Sequence, residues 1–226
     1  MIAAQYLRQV DLLIRILPAI AKEKEFALHG GSAINLFLLQ MPRLSVDIDL
    51  TYLHTGEREK DLNSIVEFLT RIRAQLIRII PGISVSTPGL VDNEYKLYCR
   101  SGTAAVKIEV NTVNRGVMSP PTLLTLCNKA SEIFNKTCEI NVVPLNQLYG
   151  GKIVAALDRQ HPRDLFDVRN MVHTLGFTED MMNGFIFCLL SSKRPLHEIL
   201  NPCLLNQKAT LNSQFSGMTD EIFTYE

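Results

Sequence analysis

The sequence lacks an excess of charge of either sign, because 23 Lys and Arg residues balance 23 Asp and Glu residues. This balance argues against a protein that coats nucleic acid nonspecifically, although it allows a local basic patch. The sequence also lacks an apolar run long enough to span a bilayer, since Asp11, Arg15 and Pro18 interrupt the most apolar early segment, residues 10–21. That segment has no small-residue cleavage site, so we expect no signal peptide and no membrane association.

Closely spaced cysteines are also missing. The five cysteines are odd in number, widely separated and include no Cys-x-x-Cys pair. This pattern argues against a disulfide framework or a zinc site and is typical of reduced thiols in a cytoplasmic protein. The chain has no Gly-x-Ser-x-Gly element and no Walker lysine, and its five histidines show no metal-ligand spacing.

Hydrophobic periodicity predicts an α+β protein with a β-rich first part and a helical second part. The boundary falls near Pro144, which gives units of residues 1–143 and 144–226. We expect Pro18 to kink or divide the first helix and Ser32 to be the N-cap of the second. The predicted helices are 3–24, 33–40, 60–80, 145–159, 162–174 and 179–191. The predicted strands are 26–29, 46–50, 83–86, 94–100, 104–111 and 136–143, and 83–111 is expected to form an antiparallel meander.

The stretch from Leu28 to Thr51 carries the clearest chemical pattern. Glycines at 30 and 31 allow a sharp turn and a close approach of phosphate to the backbone, although taken alone they are better explained by a plain strand-to-helix turn capped by serine. Asp47 and Asp49 are two residues apart on a predicted strand, so both carboxylates face one side. Their mutual repulsion favours a bound cation, for which we predict Mg²⁺, or a solvent-facing strand edge.

Glu109 is a candidate third carboxylate. It lies on the polar face of a later strand, where it would serve as a further metal ligand or a general base. The alternative is an ion pair with Lys107 or another surface lysine.

A second segment, residues 151–167, places Lys152 and Arg159 on one helix face. Pro162 suits the first helical turn, and Asp164 suits the positive end of the helix dipole, which would explain Asp164 without a functional role. Arg163 and Asp167 are four residues apart and would form a surface ion pair if they have no role in a site.

The ordered set of motifs is Gly31-Ser32, Arg43-x-Ser45-x-Asp47-x-Asp49 and Lys152-x-x-Ala155-x-x-x-Arg159-x-x-x-Arg163-Asp164-x-x-Asp167. In this order the chain resembles the AbiEii/AbiGii-type nucleotidyltransferase-like toxins, which belong to the polymerase-β-like nucleotidyltransferase superfamily. The resemblance covers residues 29–174. It implies a small mixed sheet bearing the acids, flanked by helices, and a C-terminal helical part that closes a nucleotide cleft.

The resemblance also implies transfer of a nucleotidyl group from an NTP to an acceptor, in described relatives the 3′ end of tRNA, and an antitoxin protein partner. Members of this group usually continue with more helix, so we expect a truncated C-terminal part. The predicted catalytic residues are Asp47, Asp49, Lys152, Asp164 and Asp167. The predicted nucleotide-binding residues are Gly30, Gly31, Ser32, Arg43, Ser45, Arg159 and Arg163, and the predicted metal ligands are Asp47, Asp49 and Glu109.

Two other functions fit the same pattern. The first is an inactive nucleotidyltransferase-like module that binds a nucleotide or a protein without turnover. The second is a small-molecule nucleotidyltransferase that modifies an antibiotic, since that class shares the Gly-Ser and Asp-x-Asp motifs.

Overall fold

A computed structural model of the chain describes residues 2–87 and 95–225. Its centre is a mixed sheet in the order β3-β4-β5-β2-β1-β7-β6, seven strands within the described residues. β1 pairs antiparallel with β2 and parallel with β7, and β2 pairs parallel with β5. The strands are β1 Phe26–His29, β2 Ile48–Tyr52, β3 Ser84–Ser86, β4 Lys96–Ser101, β5 Ala104–Asn111, β6 Thr122–Thr125 and β7 Glu139–Val142.

Helices cover the sheet, and from Leu145 onward the regular elements of the described residues are helices. A π-helical turn, Ile34–Leu38, follows α2 directly. Among the described residues no helix has the length and apolar character needed to cross a bilayer. The α-helices are α1 Ala4–Ile20, α2 Gly30–Ala33, α3 Arg58–Ile79, α4 Asn128–Phe134, α5 Leu145–Arg159, α6 Pro162–Leu175, α7 Glu179–Leu190, α8 Leu196–Leu200 and α9 Lys208–Gln214.

The core forms where α1 and α3 lie against the sheet. One face of α1 is apolar and fully buried, and Pro18 lies inside α1 without dividing it. An aromatic cluster joins the sheet to α3, because the Phe26 ring lies 5.9 Å from Tyr52 and 5.6 Å from Phe68, edge to face in both cases. Burial of such side chains is the dominant stabilising term in a domain of this size.

The helical part packs tightly and returns to the first part. A Cβ added at Gly184 of α7 would lie 1.9 Å from the Asn146 carbonyl oxygen of α5, so only glycine permits this contact. Near the C-terminal end, the Gly217 carbonyl accepts a hydrogen bond from the Ala3 amide at 2.9 Å, and the Met218 carbonyl accepts one from the Leu44 amide at 2.7 Å. The division at 143/144 stays a prediction.

The α+β expectation is confirmed, and so is the antiparallel meander of β3, β4 and β5. The predicted strand 94–100 begins outside the described residues, and its described part is β4. The predicted bounds of β1, β5 and α5 match the structure. The elements that the periodicity missed are β6, α4, α8 and α9, each of which is short.

Two predicted positions in the first motif are wrong. Ser32 is not an N-cap, because α2 starts at Gly30, so the N-cap position falls to His29. Asp47 precedes β2 instead of lying within it, since β2 begins at Ile48 opposite the end of β1.

Candidate functional site

Strand pairing brings three chemically active side chains to one face of the sheet. Asp49 on β2 lies opposite His29 on β1 and opposite Glu109 on β5. Because residues opposite each other on paired strands point to the same face, these side chains surround one position. The sheet therefore builds a polar centre from residues separated by as much as 80 positions in sequence.

The glycine turn packs directly against this centre. Gly30 has φ +71°, and a Cβ there would lie 2.4 Å from the Asp49 Oδ2 atom. A Cβ at Gly31 would lie 2.7 Å from Arg43 Nη2 and 2.9 Å from Ser45 Oγ. Gly30 therefore requires glycine because of its positive φ and its contact with Asp49, and glycine at 31 lets the backbone approach the Arg43 guanidinium closely.

Ser32 and Asp47 are joined by the chain that leads into β2. The Ser32 hydroxyl is buried, lies 3.1 Å from Ser45 Oγ and hydrogen-bonds to the Asp47 carbonyl oxygen. Asp47 Oδ2 lies 3.7 Å from Arg163 Nη1, and both side chains are partly exposed. The structure thus places Ser32 as the support of the segment that presents Asp47, and its predicted role in phosphate binding stays a prediction.

A buried network of charged groups anchors α6 to the first part of the chain. Asp167 accepts hydrogen bonds from Arg43 Nε at 2.7 Å, Arg43 Nη2 at 2.6 Å and Asn35 Nδ2 at 3.0 Å. The Lys152 ammonium lies 3.2 Å from Asp167, and all four side chains are buried. Although burial alone raises it, the positive charges of Arg43 and Lys152 hold the pKa of Asp167 below its usual value.

Asp164 forms the second half of the network. It accepts hydrogen bonds from Lys152 Nζ at 2.9 Å and from Arg159 Nε and Nη2 at 2.5 and 3.0 Å. Burial opposes ionisation, but Lys152 and Arg159 hold the pKa of Asp164 well below its usual range. Lys152 and Arg159 therefore share a helix face, as predicted, and one carboxylate orients both.

These contacts correct two of the simpler interpretations. The helix dipole alone does not explain the presence of Asp164, because its carboxylate is buried between the cations of Lys152 and Arg159. The predicted surface pair of Arg163 with Asp167 is wrong, since Asp167 pairs with Arg43 inside the protein and Arg163 lies near Asp47.

Asp49 sits in the opposite electrostatic environment. Burial and the neighbouring Asp47 carboxylate raise the pKa of Asp49, while Lys152 and Lys107 act in the other direction. The positive charges of Lys152 and Lys107 therefore do not fully balance the negative charges of an ionised Asp49 and Asp47. Two carboxylates with this deficit of positive charge fit the oxygen-rich, anionic donor set that a divalent cation prefers.

Glu109 differs from the other two acids. Its carboxylate lies 2.6 Å from Lys107 Nζ and 3.4 Å from Lys96 Nζ, so the predicted ion pair with Lys107 is present. Although burial acts in the other direction, Lys107 and Lys96 lower the pKa of Glu109. Within residues 2–87 and 95–225 no cluster of three or more His, Cys, Asp and Glu side chains is arranged to hold a metal ion, and a metal role for Glu109 stays a prediction.

His29 is the residue that the motifs did not assign. Its Nδ1 atom lies 3.2 Å from Thr51 Oγ1, and its ring packs against Gly151 of α5. Burial and the Lys152 ammonium lower the pKa of His29 to about 4, so the imidazole is neutral at physiological pH. Its position just before two glycines was the available sequence signal.

A cleft opens over this centre. Its volume is about 540 Å³, and its walls include His29, Gly30, Asp49, Glu109 and Arg159. That volume lies within the range of small-molecule binding sites. Lys152, Asp164 and Asp167 are buried and are not part of its lining, and Asp164 holds Arg159 in the wall.

Comparison with known proteins places this arrangement in a family. The model of the nucleotidyl transferase AbiEii toxin, type IV toxin–antitoxin system, matches residues 11–201. Among the curated proteins no match was found.

Solved structures also resemble the chain. MenT4, a nucleotidyltransferase toxin from Mycobacterium tuberculosis H37Rv, superposes with a TM-score of 0.65 at 15% identity over 91% of this chain and 75% of MenT4. A nucleotidyltransferase described as putative from H. pylori gives a TM-score of 0.48 at 14% identity over 88% of this chain and 91% of its own. The likeness to MenT4 shows the fold, and the family match, which covers most of the sequence, shows that the chain belongs to the AbiEii nucleotidyltransferase toxin family.

Proposed function

We propose that the protein is a Mg²⁺-dependent nucleotidyltransferase that transfers a nucleotidyl group from an NTP to the 3′ end of an RNA such as tRNA, and that this reaction arrests growth. Membership of the family already implies a nucleoside triphosphate substrate and an antitoxin partner. The observation that carries the proposal is Asp49 in the wall of the 540 Å³ cleft, with its pKa raised by burial and by the nearby carboxylate of Asp47.

The donor set supports a hard divalent cation. Asp47 and Asp49 offer carboxylate oxygens, and Gly30, which lets the backbone approach the Asp49 carboxylate closely, lines the cleft together with Asp49. Bound Mg²⁺ would orient the triphosphate and offset the charge that develops on the leaving pyrophosphate.

The remaining residues act on the substrates through position and charge. Arg159 lies in the cleft wall, with two of its nitrogens held by Asp164, and it is placed to contact a phosphate. Lys152 adds positive potential from behind the wall, strong enough to affect both Asp49 and His29. Asp164 and Asp167 are positioning residues, since they fix Lys152 and Arg159 and not the substrate.

In the reaction the 3′ oxygen of the acceptor attacks the α-phosphorus in line with the leaving group. The new oxygen–phosphorus bond forms as the bond to pyrophosphate breaks, and the hydroxyl proton is released to solvent. Catalysis then rests mainly on orientation and on charge stabilisation by groups already in place.

The test is to incubate the purified protein with Mg²⁺, each of the four labelled NTPs and total RNA. We expect label to enter RNA with at least one NTP, to depend on Mg²⁺, and to be lost in Asp49→Asn. Glu132→Gln is the matched control, because Glu132 is an exposed carboxylate on α4, away from the cleft. Absence of label in RNA with all four NTPs would refute the proposal, and label on an aminoglycoside instead would favour antibiotic modification.

Expression in a bacterium tests the effect on growth. We expect wild-type protein and Glu132→Gln to arrest growth and Asp49→Asn to be tolerated at equal protein level. If wild type, Glu132→Gln and Asp49→Asn were equally toxic, growth arrest would not depend on nucleotidyl transfer.

A further inference from the structure

A second cavity adjoins the cleft. Its volume is about 360 Å³, and it lies between the end of β5, α5 and the segment after α7. It shares His29, Asn111, Val113 and Arg159 with the first cavity. The two cavities are therefore compartments of one groove that meet beside Asp49.

The charges of the two compartments differ. The first is lined by the carboxylates of Asp49 and Glu109 and by the cations of Lys96 and Arg159, which pair with Glu109 and Asp164. Lys193 lines the rim of the second, and no carboxylate of the described residues forms an ion pair with its ammonium. Asp158, the acid of the second compartment, is neutralised by Arg194 at 2.9 Å.

The second compartment also presents hydrogen-bonding groups without fixed charge. Asn111, Asn114, Ser191 and Ser192 line it. Asn111 Oδ1 and the two serine hydroxyls form hydrogen bonds within the chain, and amides and hydroxyls have further donors and lone pairs with which to contact bases and ribose. Because the Lys193 ammonium has no ion-pair partner among the described residues, it is available to the charge of a phosphodiester, a charge that a peptide backbone lacks.

We infer that the second compartment binds the terminal nucleotide of a single-stranded RNA acceptor, with Lys193 contacting a backbone phosphate. This inference rests on the proposed function and names the acceptor end of the same groove. The arrangement suits in-line attack, because the acceptor reaches the α-phosphate at the junction of the compartments while the triphosphate occupies the first. His29, which is neutral and held by Thr51, forms the shared wall.

The test compares Lys193→Glu with Lys22→Glu. Both reverse one exposed lysine, but Lys22 lies before β1, at the end of that strand opposite Gly30. We expect Lys193→Glu to raise the acceptor KM at least fivefold at about 0.1 M salt, with the KM for NTP unchanged and wild-type values for Lys22→Glu. The expected size follows from one phosphate contact on a single strand, which contributes a salt-dependence slope of about 0.7 and hence roughly fivefold at that salt.

Binding of a fluorescent single-stranded RNA, measured without NTP, gives an independent readout. The slope of log affinity against log salt should decrease by about 0.7 in Lys193→Ala and stay unchanged in Lys22→Ala. An unchanged acceptor KM and an unchanged slope would overturn the inference, and so would label on protein instead of RNA. If wild-type protein labels nothing, the proposed function fails, and the salt slope still decides whether Lys193 contacts RNA.

Discussion

The buried network around Asp167 yields the sharpest stability prediction. In Asp167→Asn the side chain keeps its size but loses its charge, while Arg43 stays only 3% exposed and Lys152 stays 6% exposed. Removing one partner of a buried ion pair leaves an uncompensated buried charge, which costs about 3–5 kcal/mol. Since domains have unfolding free energies of about 5–15 kcal/mol, this substitution should remove a large share of the total.

Urea denaturation followed by circular dichroism at pH 7 measures this effect. The matched control is Glu221→Gln, which breaks a 2.6 Å pair with Arg169 on the surface, where both side chains are more than a third exposed. Such pairs contribute about 0–1 kcal/mol. A loss below 1 kcal/mol for Asp167→Asn would refute the argument that this network holds α6 in place.

The double variant Arg43→Met with Asp167→Met separates charge from packing. Apolar replacement of both partners of a buried pair is often neutral or stabilising. We therefore expect the double variant to unfold at higher urea than Asp167→Asn. A double variant as unstable as the sum of the single ones would show that the hydrogen bonds to Asn35 and Lys152 dominate instead.

Three further predictions concern the groove and the helices. Without Mg²⁺ at pH 7, we expect Asp49→Asn to be more stable than wild type. The reason is that the pKa of Asp49 is raised in the folded state, so that ionisation of its carboxyl group above the ordinary pKa destabilises the fold. In thermal melts, Mg²⁺ at a hundredfold excess over its Kd should stabilise wild type by about 2.7 kcal/mol and leave Asp49→Asn unchanged. Burial and Lys152 lower the pKa of His29 from 6.5, its ordinary value, to about 4 in the folded protein. Wild type should therefore lose about 1–3 kcal/mol of stability as the pH falls from 6.5 to 4, and His29→Gln should not. Parallel curves of stability against pH for the two proteins would contradict this. Gly184→Ala should destabilise the fold by more than the roughly 1–3 kcal/mol typical of overpacking, because the added Cβ would lie 1.9 Å from the backbone oxygen of Asn146. A melting temperature equal to that of wild type would show that α5 and α7 separate easily.

Local periodicity predicted the elements with strong signals. Strand β5 alternates buried side chains with less buried ones along its whole length, and α5 is bounded by Pro144 and by Gln160 in a left-handed conformation. Such signals depend on residues that are close in the sequence, so they can be predicted from it. The four-residue β6 and the five-residue α8 are too short for a periodic pattern, and tertiary contacts decide them.

The sequence alone determined the family resemblance, the α+β class and the identity of the acids in the first motif. Only the tertiary structure decided how the second motif is used, because Arg43 and Asp167 pair across 124 residues and no local pattern encodes that contact. The same holds for Asp49, because its pKa is raised by burial and by Asp47, while Lys152 of α5 and Lys107 of β5 act in the other direction. Sequence periodicity fixes which face a side chain occupies, whereas the charge state of that side chain depends on everything packed around it.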